Sequence, residues 1–168
     1  MRALLLLRHA KSDWESGADD DFARPLAKRG RKAAERMGAW MRRHELVPAY
    51  IVSSSAARAR ETVQILCGAL RLNATPVVYD DRLYLADRDE LLGVLRDCPR
   101  DAESVMLVGH NPGLEELLMY LCGSDVPVAA NGKLLPTAAL ARITLPDNWR
   151  SLKRESGRII AVTRPKEL

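Results

Sequence analysis

With 168 residues, 47% hydrophobic and 29% charged, the chain has the make-up of a globular protein large enough for one sizeable core, and disorder is excluded. A net charge of +4 and an aromatic content of 5% argue against a nucleic-acid surface or a base-stacking platform. The three cysteines, Cys67, Cys98 and Cys122, are widely spaced without a CxxC pair, as expected of free thiols in a reduced, cytoplasmic compartment. The start, "MRALLLLRHAK", has too short an apolar run for a secretory leader or a membrane span, so no membrane association is expected.

Residues 3–8 read as a first strand, apolar on both faces, as in a parallel sheet covered by helices. A polar loop, "SDWESGADDDFARPL", follows it. From Leu26 to His44 the pattern is helical: Gly30, Ala33, Ala34, Met37, Trp40 and Met41 recur at three- and four-residue spacing, with Arg and Lys on the other face. "AYIVSS" is a second strand and "SAARARETVQILCGALRL" a second helix; "TPVVYD" and "DRDELLGVLRDC" repeat the strand and helix order. "SVMLVGH" is a fourth strand, and "NPGLEELLMYLC" a helix with Pro112 suited to its first turn. "TAALARITL" and "GRIIAVTR" supply two further strands. Without a repeat or linker, residues 1–168 are expected to form a single domain. The alternation predicts an α/β three-layer sandwich with a mostly parallel central sheet flanked by helices.

Ligands of such sheets sit beyond the carboxyl ends of the strands. Three ends carry notable residues: Arg8 with His9, Ser54 with Arg58, and His110. No GxxxxGK[ST] or GxGxxG loop is present, no cysteine stands six residues before an arginine, and no HExxH occurs. No cofactor and no metal site are expected. Histidine with arginine remains. A neutral imidazole is a competent nucleophile toward phosphorus, and guanidinium forks suit the equatorial oxygens of a phosphoryl group. Arg58 falls in the first turn of its helix, where backbone N–H groups also favour an anion, and His110, if protonated, would be a third cation.

"LLLLRHAKSDW" resembles the RHG signature of the histidine phosphatase superfamily. "SSSAARARET" is similar to that superfamily's serine-to-RAxxT segment, and "VMLVGHNPGLEELL" to its second-histidine segment. "RPLAKRGRKAAERMGAWM" and "LLPTAALARITL" resemble the small SixA-type protein phosphohistidine phosphatases. The resemblance covers most of the chain in order. It implies a phosphoglycerate-mutase-like fold, compact without a long lid insertion, with His9 as phosphoryl acceptor and Arg8, Arg58 and His110 completing the phosphate pocket. Two positions depart from the pattern. Ala10 replaces the usual glycine, which a negative φ would tolerate, and Glu15 stands where mutases have a phosphate-binding asparagine.

The compact length leaves out the insertion that carries the general acid in the mutases. The imidazole leaving a phosphohistidine is less basic than an alkoxide and needs such an acid less, which favours a phosphoramidate substrate. Asp21 is the first candidate for an acid and the "YLADRDE" loop the second. Ser12 is a candidate donor to the substrate phosphate.

The expected reaction is phosphoryl hydrolysis through a covalent phosphohistidine, on a phosphorylated protein or a small phosphomonoester. A binding module that keeps the pocket without turnover is the alternative. A monomer is expected. The basic residues Lys28, Arg29, Arg31, Lys32 and Arg36 read as a solvated face, with a docking surface for an acidic partner as the alternative. Trp14 could wall the pocket or fill space under its loop.

Overall fold

The computed structural model describes residues 1–129 and 131–168. Six strands form one mixed sheet: β1 (Arg2–Arg8), β2 (Tyr50–Ser53), β3 (Val77–Tyr79), β4 (Ser104–Gly109), β5 (Leu140–Leu145) and β6 (Arg158–Thr163). Four α-helices flank it: α1 (Lys28–Arg43), α2 (Ala57–Leu70), α3 (Arg88–Arg96) and α4 (Gly113–Cys122). The spatial order is β3-β2-β4-β1-β5-β6. The pairs β3/β2, β2/β4 and β4/β1 are parallel, whereas β5 runs antiparallel to both β1 and β6. The mostly parallel α/β sandwich expected from the sequence is the fold observed.

The leucine run of β1 works because successive side chains of a strand face opposite ways. Leu4 and Leu6 enter the layer that β1, β2 and β4 share with α3 and α4. Leu5 and Leu7 enter the layer shared with α1 and α2, beside Met37, Met41, Val63 and Leu66. Both faces of the strand are therefore buried, and at its end the chain can only turn outward with polar residues.

Three boundaries differ from the sequence reading. Leu26 lies outside α1 and pairs with Ser12 in an isolated antiparallel bridge, so the helix starts two residues later. Pro112 precedes α4 as its cap instead of occupying its first turn. β5 begins at Leu140 because Ala138 adopts a left-handed φ of 62°, incompatible with a strand. There the Ala138 N–H reaches the carbonyls of both Arg8 and His9 at 3.1 Å, which fixes the backbone where β1 ends. No helix among the described residues is long and apolar enough to cross a membrane.

Candidate active site

The carboxyl ends of β1, β2 and β4 meet in one buried polar cluster. The His9 and His110 rings lie 5.1 Å apart between centroids, although a hundred residues separate them in sequence. The parallel register of β1 and β4, in which Arg8 pairs with Gly109, puts the residue after each strand side by side. His9 is held by its own backbone: its N–H donates to the Gly109 carbonyl at 3.0 Å. Ala10 keeps a φ outside the left-handed region, so the usual glycine is not required there.

The His9 tautomer follows from its partner. Nδ1 lies 2.7 Å from the Ala10 carbonyl, which can only accept, so Nδ1 carries the proton and Nε2 keeps its lone pair. Burial pushes the His9 pKa down to about 3, and the charges of His110, Arg58 and Arg8 add to the effect against the Ala10 hydrogen bond. At neutral pH the ring is uncharged.

His110 is also neutral. Burial first, then the charges of Arg58, Arg8 and Arg24, lower its pKa to about 4, with Asp21 opposing. The condition under which His110 would be a third cation, protonation, is therefore opposed by the guanidiniums around it, and an anion between them would offset that opposition. Its Nε2 sits 2.8 Å from Ser54 Oγ. That hydroxyl accepts the Ala56 N–H and so can give its proton to the ring. Nδ1 is buried and unpartnered.

Arg8, half-buried, and Arg58, buried, bring guanidiniums to the same place. Arg8 Nη1 donates to the Leu135 carbonyl at 3.1 Å, and its Nε is buried without a partner. Burial lowers the Arg8 pKa, and Glu115 partly offsets this. Arg58 comes from the first turn of α2 and is anchored on Asp21, through Nη1 to its carbonyl at 2.7 Å and Nη2 to its carboxylate at 3.0 Å. Its Nε is also unpartnered. Buried N–H groups without partners are rare, and here they cluster around two imidazoles.

Asp21 sits at the site, but not in the protonation state proposed from the sequence. Its carboxylate accepts from the Tyr84 hydroxyl at 2.6 Å and lies 3.0 Å from both Arg58 and Arg24. The Tyr84 bond is the largest cause and burial, which opposes it, the next; with the Arg58 bond and the charges of Arg58 and Arg24 the balance holds the carboxyl below the ordinary carboxylate range. Ionised in the resting chain, Asp21 anchors cations and has no proton to donate. Ser12 is buried, and no hydrogen bond among the described residues joins it to the histidines or arginines of the cluster. Trp14 neither walls the cluster nor fills space beneath it: it is 73% exposed, with the Arg24 guanidinium 3.5 Å above its ring.

Two residues escaped the sequence reading. Arg24 is 7% exposed, with Nε and Nη1 buried and unpartnered. The Tyr84 ring stands nearly perpendicular to those of His110 and Phe22, with centroids 5.6 and 5.0 Å away. "ARPL" and the "YLADRDE" loop are visible in the sequence as segments, yet nothing local indicates that they converge. No group of three or more His, Cys, Asp or Glu spaced to hold a metal occurs among the described residues. A separate cavity of about 420 Å³, lined by Arg88, Tyr120 and Arg154 among others, contains none of these site residues.

Fold and site together define the class: an α/β phosphatase with a buried histidine pair. Residues 4–89 match the histidine phosphatase superfamily (branch 1), and the chain belongs to that superfamily. It is 30% identical over 166 residues to an uncharacterized Mycobacterium leprae protein, ML1117, covering 95% of this chain and all of that one. A structure from Agrobacterium tumefaciens assigned as a phosphohistidine phosphatase, SixA, is 32% identical, with a TM-score of 0.83 over 98% of each chain. A second such SixA structure, from Nakamurella multipartitia, is 28% identical, with a TM-score of 0.83 over 98% of this chain and 96% of that one. A SixA complexed with tungstate shares the fold at 21% identity, with a TM-score of 0.80 over 98% of this chain and 97% of that one.

Proposed function

We propose that this phosphatase removes phosphoryl groups from protein phosphohistidine, without a metal, through a covalent intermediate on His9. In this reading the neutral His9 Nε2 attacks phosphorus in line as the bond to the substrate imidazole breaks. Water then hydrolyses the phosphorylated His9 and releases phosphate. The unpartnered N–H groups of Arg8 and Arg58, with His110, hold the equatorial oxygens of the transferring group. Ser12 stays outside this mechanism unless it moves on binding.

The observation that carries the reading is the His9 tautomer: a buried ring with Nδ1 tied to the Ala10 carbonyl and Nε2 free beside unpartnered guanidinium N–H groups. The phosphohistidine assignment is supported by Asp21, whose carboxyl is held below the ordinary range beside the pocket, so a leaving group that needs little protonation fits best. A small phosphomonoester is the second reading, since the cluster would bind any accessible phosphoryl dianion.

The test offers a phosphohistidine protein, an aryl phosphate and sugar phosphates to the wild type and to His9→Ala, each with and without EDTA. The expected result is turnover of the phosphohistidine protein that survives EDTA and disappears in His9→Ala, with acid-labile phosphate trapped on His9 after rapid quench. Preference for a sugar phosphate, or loss of activity with EDTA, would overturn the substrate or the metal-free mechanism respectively.

A further inference from the structure

The charge of this chain is concentrated on one helix. α1 carries seven cations, Lys28, Arg29, Arg31, Lys32, Arg36, Arg42 and Arg43, against one acid, Glu35. The remainder has nineteen Lys and Arg against twenty-one Asp and Glu, taken from totals of 26 and 22, and is net acidic. At 3.6 residues per turn the seven cations fall within an arc of about 160°. All seven are exposed, opposite the stripe of Ala34, Met37 and Met41 that packs inward. None of them pairs with a side-chain carboxylate among the described residues; Arg31 donates to the Leu26 carbonyl and Arg36 to the terminal oxygen of Leu168.

At its start this arrangement works against the helix that bears it, whereas Arg42 and Arg43 in the last turn suit the dipole. Lys28, Arg29 and Arg31 crowd the first turn, at the positive end of the helix dipole, with no acidic residue and no capping side chain there. Lys28 with Lys32, and Lys32 with Arg36, place like charges four residues apart. A face selected only for solubility would interleave acids, as α3 does with Asp89 and Glu90 in its first turn and a full capping box. A local rule broken without a stabilising return marks a surface used for something else.

The start of α1 also adjoins the segment that leaves the site. The Ala27 N–H donates to the Lys11 carbonyl at 2.9 Å, Leu26 pairs with Ser12, and Gly30 lies so close to the Lys11 carbonyl that it leaves no room for a Cβ. The start of α1 is therefore fixed, through its inward side, to the two residues that follow Ala10, and Lys28, Arg29, Arg31 and Lys32 lie on the outward side of that same end.

We propose that the outward face of α1 docks the phosphorylated protein itself, a partner whose surface beside its phosphohistidine is acidic. This rests on the reading of the chain as a protein phosphohistidine phosphatase. Complementary charge of this kind raises the encounter rate and orients the phosphoryl group before contact. An anionic membrane is disfavoured because the apolar face of α1 is buried in the fold and cannot insert.

The experiment uses the triple variant Lys28→Glu/Arg29→Glu/Lys32→Glu. Acids there suit the helix dipole, so melting temperature should hold or rise, which separates docking from misfolding. Substrates are an acidic helical carrier protein, the same carrier with lysines in place of its surface glutamates, each phosphorylated on one histidine, and p-nitrophenyl phosphate. The expected result is that kcat/KM on the acidic carrier falls by about tenfold or more through KM, as 0.5 M salt also does to the wild type, while the aryl phosphate rate stays within about twofold. Equal kcat/KM of variant and wild type on the acidic carrier, or preference for the basic one, overturns the proposal. So does an effect confined to binding of phosphatidylserine vesicles or duplex DNA. If the wild type turns over none of the three substrates, the catalytic reading fails separately. Calorimetric binding of the unphosphorylated acidic carrier then still reads the docking face: loss in the triple variant supports it, and equal binding sinks it.

Discussion

Thr62 Oγ1 accepts the Ala10 backbone N–H at 3.0 Å and donates to the Arg58 carbonyl at 2.7 Å. One fully buried hydroxyl thus ties the backbone beside His9 to the turn of α2 that carries Arg58. The two segments come from different parts of the chain, and this bridge links the backbone that carries the imidazole to the backbone that carries the guanidinium.

Thr62→Val keeps the shape and removes both bonds, leaving a buried N–H unpaired. The loss expected is about 1–3 kcal/mol of stability. Because positioning of the transferring group depends on Arg58, kcat should fall by about tenfold or more on every substrate, with circular dichroism unchanged. Thr62→Ser, which restores the hydroxyl, should recover most of kcat. Full activity in Thr62→Val would show that Arg58 does not need this tether.

Much of this was legible in the sequence, because the signals were local. Four leucines followed by Arg8 and His9 specify a strand buried on both faces with a polar tip, and the coordinates divide those leucines between two layers. His110 after "SVMLVG" is the same signal again. Thr62 stood inside the RAxxT resemblance without a stated role, since a hydroxyl bridging two elements leaves no periodic trace. Arg24 and Tyr84 were harder still. Each lies in a loop, and loops approach one another through tertiary packing that no spacing encodes. The start of β5 was misplaced for a similar reason: Ala138 has strand-compatible chemistry, but its bond to the end of β1 holds it at positive φ.

The two buried histidines also make stability depend on pH. Their folded pKa values, about 3 for His9 and about 4 for His110, lie below the value near 6.5 expected in the unfolded chain. Above pH 6.5 both states hold neutral rings and this contribution to stability is fully present. As pH falls below 6.5 the unfolded chain takes up two protons that the native state refuses, so stability is lost, at up to about 1.4 kcal/mol per pH unit for each ring. Urea midpoints between pH 7.5 and 4.5 should therefore drop more steeply for wild type than for His9→Gln/His110→Gln, in which neither site titrates. Parallel slopes in the two proteins would mean that the rings are protonated in the native state.

Asp21 offers the sharpest discrimination between roles for a site carboxylate. As an anchor, it holds Arg58 and Arg24 while its negative charge weakens any incoming anion. As an acid, it would donate a proton to the leaving group, and its contribution would grow as that group becomes more basic. Asp21→Asn keeps an acceptor for Arg58 Nη2 and removes the charge. The anchor role then predicts tighter tungstate binding, by about tenfold or more on calorimetric titration, because a unit charge near 3 Å from two guanidiniums has been removed from a partly shielded site. It also predicts the same fractional change in kcat for p-nitrophenyl phosphate, whose leaving group needs no proton, as for an alkyl phosphate, whose leaving group does. A loss confined to the alkyl phosphate, on the order of a hundredfold, would identify Asp21 as the proton donor after all. It would mean that a bound phosphoryl dianion raises the Asp21 pKa past the hold of Tyr84 and the two arginines.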